Sequence, residues 1–191
     1  MSVNAAMGSL YSTNSSLQDC AIKESRDAFL PFVTEYIRQH SRGTTTLHVA
    51  DIGCSTGENS ASILNPVIKA ASMVDRNVTK YYCDLPSNNF TQLFMHLNGL
   101  KEQQRKNVFS VAVGRSFYDQ LVPEESLDVS WSASAYHWIN TSNVTQEHLA
   151  LIKKPGLDHV TLHALPQNEQ AEFYKNCVER DWDQILDLRR R

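Results

Sequence analysis

Leu47-His48-Val49-Ala50-Asp51-Ile52-Gly53-Cys54-Ser55-Thr56-Gly57-Glu58-Asn59 is the stretch whose reading decides the fold. A short, mostly apolar run ends at Asp51. Gly53 and Gly57 then loosen the backbone, and a helical pattern follows from about Ser60. This reads as strand, glycine turn and helix. Such a unit brings a strand's carboxyl end and a helix N-terminus to one crevice, where open α/β sheets bind their ligands. Glycines there permit positive φ and let a ligand approach bare backbone. An ordinary β-to-α turn has the same outline, so the flanking sequence must decide. The dinucleotide fingerprint is not met: counting from Gly53, it wants glycines where Ser55 and Glu58 stand.

On the carboxyl side, Ser60 to Met73 is amphipathic and should cover one face of a sheet. Val78 to Cys83 is a second strand ending at a second acid, Asp84. Asn89 to Leu100 reads as a helix with Phe90, Leu93, Phe94 and Leu97 on one side. Val108 to Val113 is a third strand, followed by Gly114-Arg115-Ser116-Phe117-Tyr118, and Leu127 to Ser132 is a fourth. On the amino side, Ser16 to Gln39 is helical, with Cys20, Ala21, Ala28, Phe29, Phe32, Val33, Tyr36 and Ile37 as its buried face. Pro31 predicts a kink or two consecutive helices. From Asn140 to Pro166 the periodicity fails: Pro155-Gly156 marks a turn, and Asp158 to Leu165 is a short strand or a covering loop. Glu169 to Arg191 is a long amphipathic helix with Phe173, Cys177, Trp182, Ile185, Leu186 and Leu188 inward. Strands alternating with helices predict an α/β fold with a doubly wound, parallel sheet.

The 191 residues suffice for one domain, and a hydrophobic fraction of 41% is ordinary for a globular chain. A net charge of -3 gives no global attraction to nucleic acid or an anionic membrane. No apolar run approaches the ~20 residues of a membrane span. Residues 1–17 have neither the basic start nor the apolar stretch of a secretory signal. Cys20, Cys54, Cys83 and Cys177 lack CxxC spacing, so they read as reduced thiols of a cytoplasmic protein, with no disulfide frame and no metal site.

Three strand ends should meet at one crevice: Asp51, Asp84, and Ser116-Phe117. A nucleoside lying across them needs a carboxylate to accept both ribose hydroxyls, each in a charge-assisted hydrogen bond. Asp84 suits that role, next to the glycine turn. An aromatic and a small polar group suit the flat adenine. A strand-end aspartate can equally cap a helix.

An acidic strand end followed by Gly-x-x-x-Gly resembles the first motif of methyltransferases that use S-adenosylmethionine (SAM). The other segments make the resemblance specific to the SABATH family of SAM-dependent carboxyl methyltransferases, named for salicylate, benzoate and theobromine enzymes. Tyr11-Ser12-Thr13-Asn14-Ser15-Ser16-Leu17-Gln18 resembles the family's Tyr-x-x-Asn-Ser-x-x-Gln. Asp51 to Asn59 resembles Asp-Leu-Gly-Cys-Ser-Ser-Gly-Pro-Asn, and Asp84 to Phe90 resembles Asp-Leu-Pro-x-Asn-Asp-Phe. Gly114 to Tyr118 resembles Gly-Ser-Phe-Tyr with one insertion, and Ser134-Ala135-Tyr136-His137-Trp138 resembles Tyr-Ser-Leu-His-Trp.

The resemblance implies a class I, Rossmann-like methyltransferase fold with a mostly parallel sheet. Residues 1–40 would be a lid segment and helices, and residues 41–191 the SAM-binding domain. Tyr11, Ser15, Asp51, Gly53, Asn59, Asp84, Leu85, Ser116 and Phe117 would line the cofactor. Gln18, Ser134, His137 and Trp138 would face the acceptor. Glu58 replaces the family's proline, Ser134 its substrate-facing tyrosine, and Tyr136 an apolar residue. The implied reaction is methyl transfer to the carboxylate of a small-molecule acid, giving a methyl ester. N- or O-methylation of another small metabolite is the alternative, as is an inactive truncated paralogue. The expected partner is the acid substrate, and a homodimer is allowed. Family members run on for about as long again, so the sheet is expected to be incomplete on its carboxyl-terminal side. The outer edge of the fourth strand would then be unpaired and prone to aggregate.

Overall fold

The structure is a computed structural model that describes residues 16–40, 46–101, 105–133, 135–136, 138–140, 144, 146 and 172–190. Strand β1 (Thr46–Ile52) buries Leu47, Val49, Ala50 and Ile52, on both faces, as a central parallel strand must. Strand β2 (Asn77–Asp84) pairs along one side of it, from Thr46 opposite Asn77 to Ile52 opposite Cys83. Strand β3 (Val108–Gly114) lies beyond β2, with Gly114 opposite Asp84. Strand β4 (Val129–Trp131) takes the other side of β1, with Trp131 opposite Asp51. All pairs are parallel and the order is β3-β2-β1-β4. The chain therefore reverses direction across the sheet at β1, the kind of switch point where such sheets bind ligands.

Helices α1 (Ser16–Gln39), α2 (Glu58–Ser72) and α3 (Phe90–Asn98) pack on one sheet face. Ile22, Val33 and Ile37 join Ile63, Leu64, Val67, Ile68, Ala71, Leu93 and Leu97 in one core with Leu47, Val49, Val78, Tyr82 and Val108. The strand residues alternate, so they come from a single face. The Asn89 side chain caps α3, accepting the Gln92 N–H at 3.0 Å.

Three sequence expectations need correction here. α1 is one helix through Pro31, which excludes the second of the two expected outcomes, a kink or two consecutive helices. Pro31 is exposed, so the carbonyl freed by its missing N–H can be solvated. Phe32, expected inside, is 78% exposed, and Ala28 is exposed as well. Phe32 adjoins Val33 and so points about 100° away from it around the helix. Phe29 and Tyr36 only border the core. Strand β4 is also shorter than the six residues read from the sequence.

The chain groups into two compact units: Ala6–Phe117 with Leu121–Ala135, and a second one that contains Tyr118–Gln120 and the residues from Tyr136 on. In the second, a π-helical turn (Tyr174–Glu179) leads into α4 (Arg180–Arg190). Phe173, Cys177, Asp181 and Ile185 are buried, four residues apart. Every fourth residue of a pure α-helix drifts around the axis; the wider π turn offsets that drift. The same turn rotates α4 about its axis, so Trp182 and Leu186, expected inside, are each 42% exposed. The expected turn at Pro155-Gly156 and the segment 158–165 lie outside the described residues. Among the described residues, no helix is long and apolar enough to cross a membrane.

Candidate functional site

The turn after β1 is built on two glycines that nothing else could replace cheaply. Gly53 and Gly57 have φ of 82° and 83°. A Cβ on Gly53 would stand 2.2 Å from the Ala135 Cβ, and one on Gly57 would stand 2.5 Å from Leu93 Cδ1. The turn is also tied to the end of β2. Gly53 and Cys54 N–H both donate to the Cys83 carbonyl, at 2.8 and 3.2 Å. The Asn88 amide donates to the Ser55 carbonyl at 2.8 Å. Ser132 Oγ donates to the Ile52 carbonyl at 2.9 Å, which joins the end of β4 to that of β1.

Asp84 has a double position in this framework. Its Oδ2 accepts the Ser55 N–H at 2.7 Å and its Oδ1 accepts the Leu85 N–H at 2.7 Å. One carboxylate thus anchors the glycine turn and starts the next one. A carboxylate has about four lone-pair positions, so about half of its accepting capacity remains. Burial pushes the Asp84 carboxyl up, and the two backbone bonds oppose that shift.

Asp51 is buried at the end of β1. Ser60, on the first turn of α2, donates its hydroxyl to Asp51 Oδ2. Asp51 Oδ1 accepts no hydrogen bond from any described residue. Burial pushes Asp51 up to about 6; the Ser60 bond works against this, and the neighbouring Asp84 charge adds to it. Neither acid has a cation among the described residues, whose ion pairs are Arg26–Asp27, Arg38–Glu35 and Arg76–Asp128. In the same turn, Thr56 Oγ1 is buried without a partner among the described residues. Two desolvated carboxylates side by side are costly unless positive charge or further donors reach them. The set fits a ligand that carries both, and SAM does, with a cationic sulfonium and a ribose diol.

The other cofactor-lining expectations fall on the same rim. Asn59 is on the first turn of α2, Leu85 follows β2, and Ser116 and Phe117 follow β3, all four residues partly buried. Asp51, Gly53, Asn59, Asp84, Leu85, Ser116 and Phe117 therefore all sit at or just after the strands' carboxyl ends. Tyr11, Ser15, Ser134 and His137 lie outside the described residues, as does the side chain of Gln18 on α1. Trp138, in the second unit, is partly buried, and its carbonyl accepts the Tyr118 hydroxyl at 2.6 Å. Ser60, Asn88 and the Ser55 N–H escaped the sequence reading. The signal for them was weak: one hydroxyl in the first helical turn after an acidic strand end, and one of two adjacent asparagines.

Comparison with known proteins shows the family and the fold. The profile of the family described as SAM dependent carboxyl methyltransferase matches residues 6–191. Gibberellic acid methyltransferase 2 of Arabidopsis thaliana is 28% identical over 193 residues, covering 94% of this chain and 48% of that protein. The salicylate/benzoate carboxyl methyltransferase of Arabidopsis thaliana is 27% identical over 190 residues, with coverages of 94% and 48%. The solved structure of a loganic acid methyltransferase with SAH superposes with a TM-score of 0.68 at 20% identity, covering 94% of this chain and 51% of that one. That likeness carries the fold, a methyltransferase α/β sheet. The chain spans about half the length of these relatives. By a match that runs over nearly all of its residues, the chain belongs to the family of SAM-dependent carboxyl methyltransferases.

Proposed function

We propose that this chain binds SAM at the carboxyl ends of β1, β2 and β3 and takes part in methylating the carboxylate of a small-molecule acid. The observation that carries this reading is the Asp51–Asp84 pair at the switch point, Asp51 buried and Asp84 partly buried, without a cation among the described residues. Asp84 keeps accepting capacity for a ribose diol while its backbone bonds hold the carboxylate still. Asp51 offers Oδ1 to the cationic part of the ligand while Ser60 fixes Oδ2. Ser116 and Phe117 suit the adenine. Tyr11 and Ser15 would close over the cofactor.

SAM, when bound, supplies a methyl group already activated on a sulfonium. A carboxylic acid acceptor has a reference pKa near ~4 and is ionised at neutral pH, so the chain need not provide a base. Its task is to hold the carboxylate in line and exclude water. Neutral donors suit this, because a cation would blunt the nucleophile. The Gln18 amide and the Trp138 indole N–H are such donors, with Ser134 and His137 beside them in the acceptor's surroundings. Cys54, Cys83 and Cys177 form no disulfide among the described residues, which suits a reducing, cytoplasmic setting. A second copy of the chain is the partner this reading allows, and sedimentation would count the protomers.

The test is the expressed gene product with methyl-labelled SAM and a panel of acids and amines that includes benzoate and salicylate. Base-labile methyl esters are the expected product. Label transferred to amines alone would overturn the carboxyl reading.

A further inference from the structure

Asp181 is the one carboxylate of α4 that is buried, and it faces a small set of groups. Its Oδ2 accepts the backbone N–H of Asn140 at 2.7 Å and lies 3.1 Å from the Tyr118 hydroxyl. That hydroxyl donates to the carbonyl of Trp138 at 2.6 Å. A phenol has one proton, so the two acceptors share it in a three-centre bond, weighted to the shorter contact. The segment Trp138-Ile139-Asn140 is thereby held at both ends: the carbonyl of its first residue and the N–H of its last. Tyr118 is itself fixed, since Gln184 Nε2 donates to its backbone carbonyl at 2.9 Å. The next residue is held in the same way, with Arg189 Nη2 donating to the Asp119 carbonyl at 3.1 Å. Burial, with the Asp181 charge beside it, pushes the Tyr118 phenol up, so it remains a neutral donor across the physiological range.

We infer that Asp181 and Tyr118 are positioning residues for the methyl acceptor, acting through Trp138. Neither touches the acceptor in this account. They fix the backbone from which Trp138 presents its indole, and a donor that must hold a carboxylate in line tolerates little displacement. A side chain that only filled space would not need a buried charge on one backbone N–H and a phenol on the carbonyl two residues away. The inference rests on the proposed role of Trp138, so its test must separate the two.

The test uses the expressed gene product labelled with ¹⁵N. The chain has three tryptophans, and the indole resonance of Trp138 is assigned by its loss in Trp138→Phe. Tyr118→Phe removes only a hydroxyl and should leave the fold intact, so it serves even where Asp181→Ala does not fold. In both variants the Trp138 indole resonance should shift or broaden, while that of Trp131 stays in place. With the acid that the panel identifies as best substrate, kcat/KM should fall at least tenfold and the Kd for SAH should change less than twofold. Asp181→Asn, which retains an acceptor for the Asn140 N–H, should recover part of the loss. An unmoved Trp138 resonance in folded Tyr118→Phe overturns the inference. A resonance that moves, in a protein where Trp138→Phe leaves acceptor kinetics intact, overturns instead the acceptor role of Trp138.

Discussion

Asp128, at the amino ends of the strands, meets a cation; Asp51 and Asp84, at the carboxyl ends, meet none among the described residues. Just before β4, Asp128 accepts the His48 N–H at 2.8 Å and the Tyr36 hydroxyl at 3.1 Å. Arg76, buried just before β2, places Nη2 3.8 Å from the same carboxylate and donates to the Thr46 carbonyl at 2.8 Å. One cluster thus ties α1 to the beginnings of three elements and neutralises its own charge. At the other end, hydrogen bonds from Ser60, Ser55 and Leu85 orient the carboxylates, and no described side chain neutralises them. The difference separates stability from function within one sheet. A charge matched internally holds strands together, whereas one left unmatched in a crevice is available to a ligand.

The comparison breaks most severely at Asp128. Asp128→Ala would leave Arg76 buried and unpaired, and should cost about 3–5 kcal/mol of stability. Urea unfolding checks this, and the SAM affinity of the folded protein should not change. Gly53→Ala comes next. It forces an ordinary residue into a left-handed backbone, at about 1–2 kcal/mol, and crowds Ala135, at about 1–3 kcal/mol. Unfolding should show a loss of about 2–5 kcal/mol, accompanied by loss of SAM binding.

Asp51→Asn should act in the opposite direction. The Asp51 pKa is raised from 3.8 to about 6, so the native state holds a proton that the unfolded chain has released. Stability is therefore lost as pH rises from about 4 through about 6, and the full cost persists above. Asparagine removes that cost, up to about 3 kcal/mol near pH 8. Unfolding at a series of pH values should show the variant gaining on the wild type up to pH 7 and level beyond it. A variant less stable than wild type at every pH would contradict this. The smallest effect is at Ser132→Ala, which deletes one hydrogen bond between the ends of β4 and β1 and should cost about 1 kcal/mol.

Much of this could be read from residue order. The glycine turn, the two acids that end strands and the alternation of strand and helix follow from local patterns, and they mark the rim proposed for the cofactor. Features that depend on partners distant in sequence could not be read. The sequence proposes Asp84 as a ribose acceptor but does not reveal that it accepts the N–H of Ser55, 29 residues away. Lys80 is fully buried within a β-rich run, its Nζ donating to the Tyr82 hydroxyl at 3.1 Å. Arg76 and Asp128, 52 positions apart, are a pair only once β1 lies between β2 and β4. The π turn in 174–179 shifts a helical face in a way that counting by 3.6 does not foresee, and Trp182 and Leu186 were misplaced for that reason.

The most direct test of the unmatched pair is calorimetric titration of SAM into the protein between pH 5 and pH 7, for wild type and Asp51→Asn. If the ionised Asp51 carboxylate receives the cationic ligand, wild-type affinity should rise about tenfold across that range, with proton release on binding at the acid end. The variant should bind more weakly, and with little dependence on pH. Wild-type affinity that does not change from pH 5 to pH 7, or a variant that binds SAM as tightly as wild type, would contradict the account.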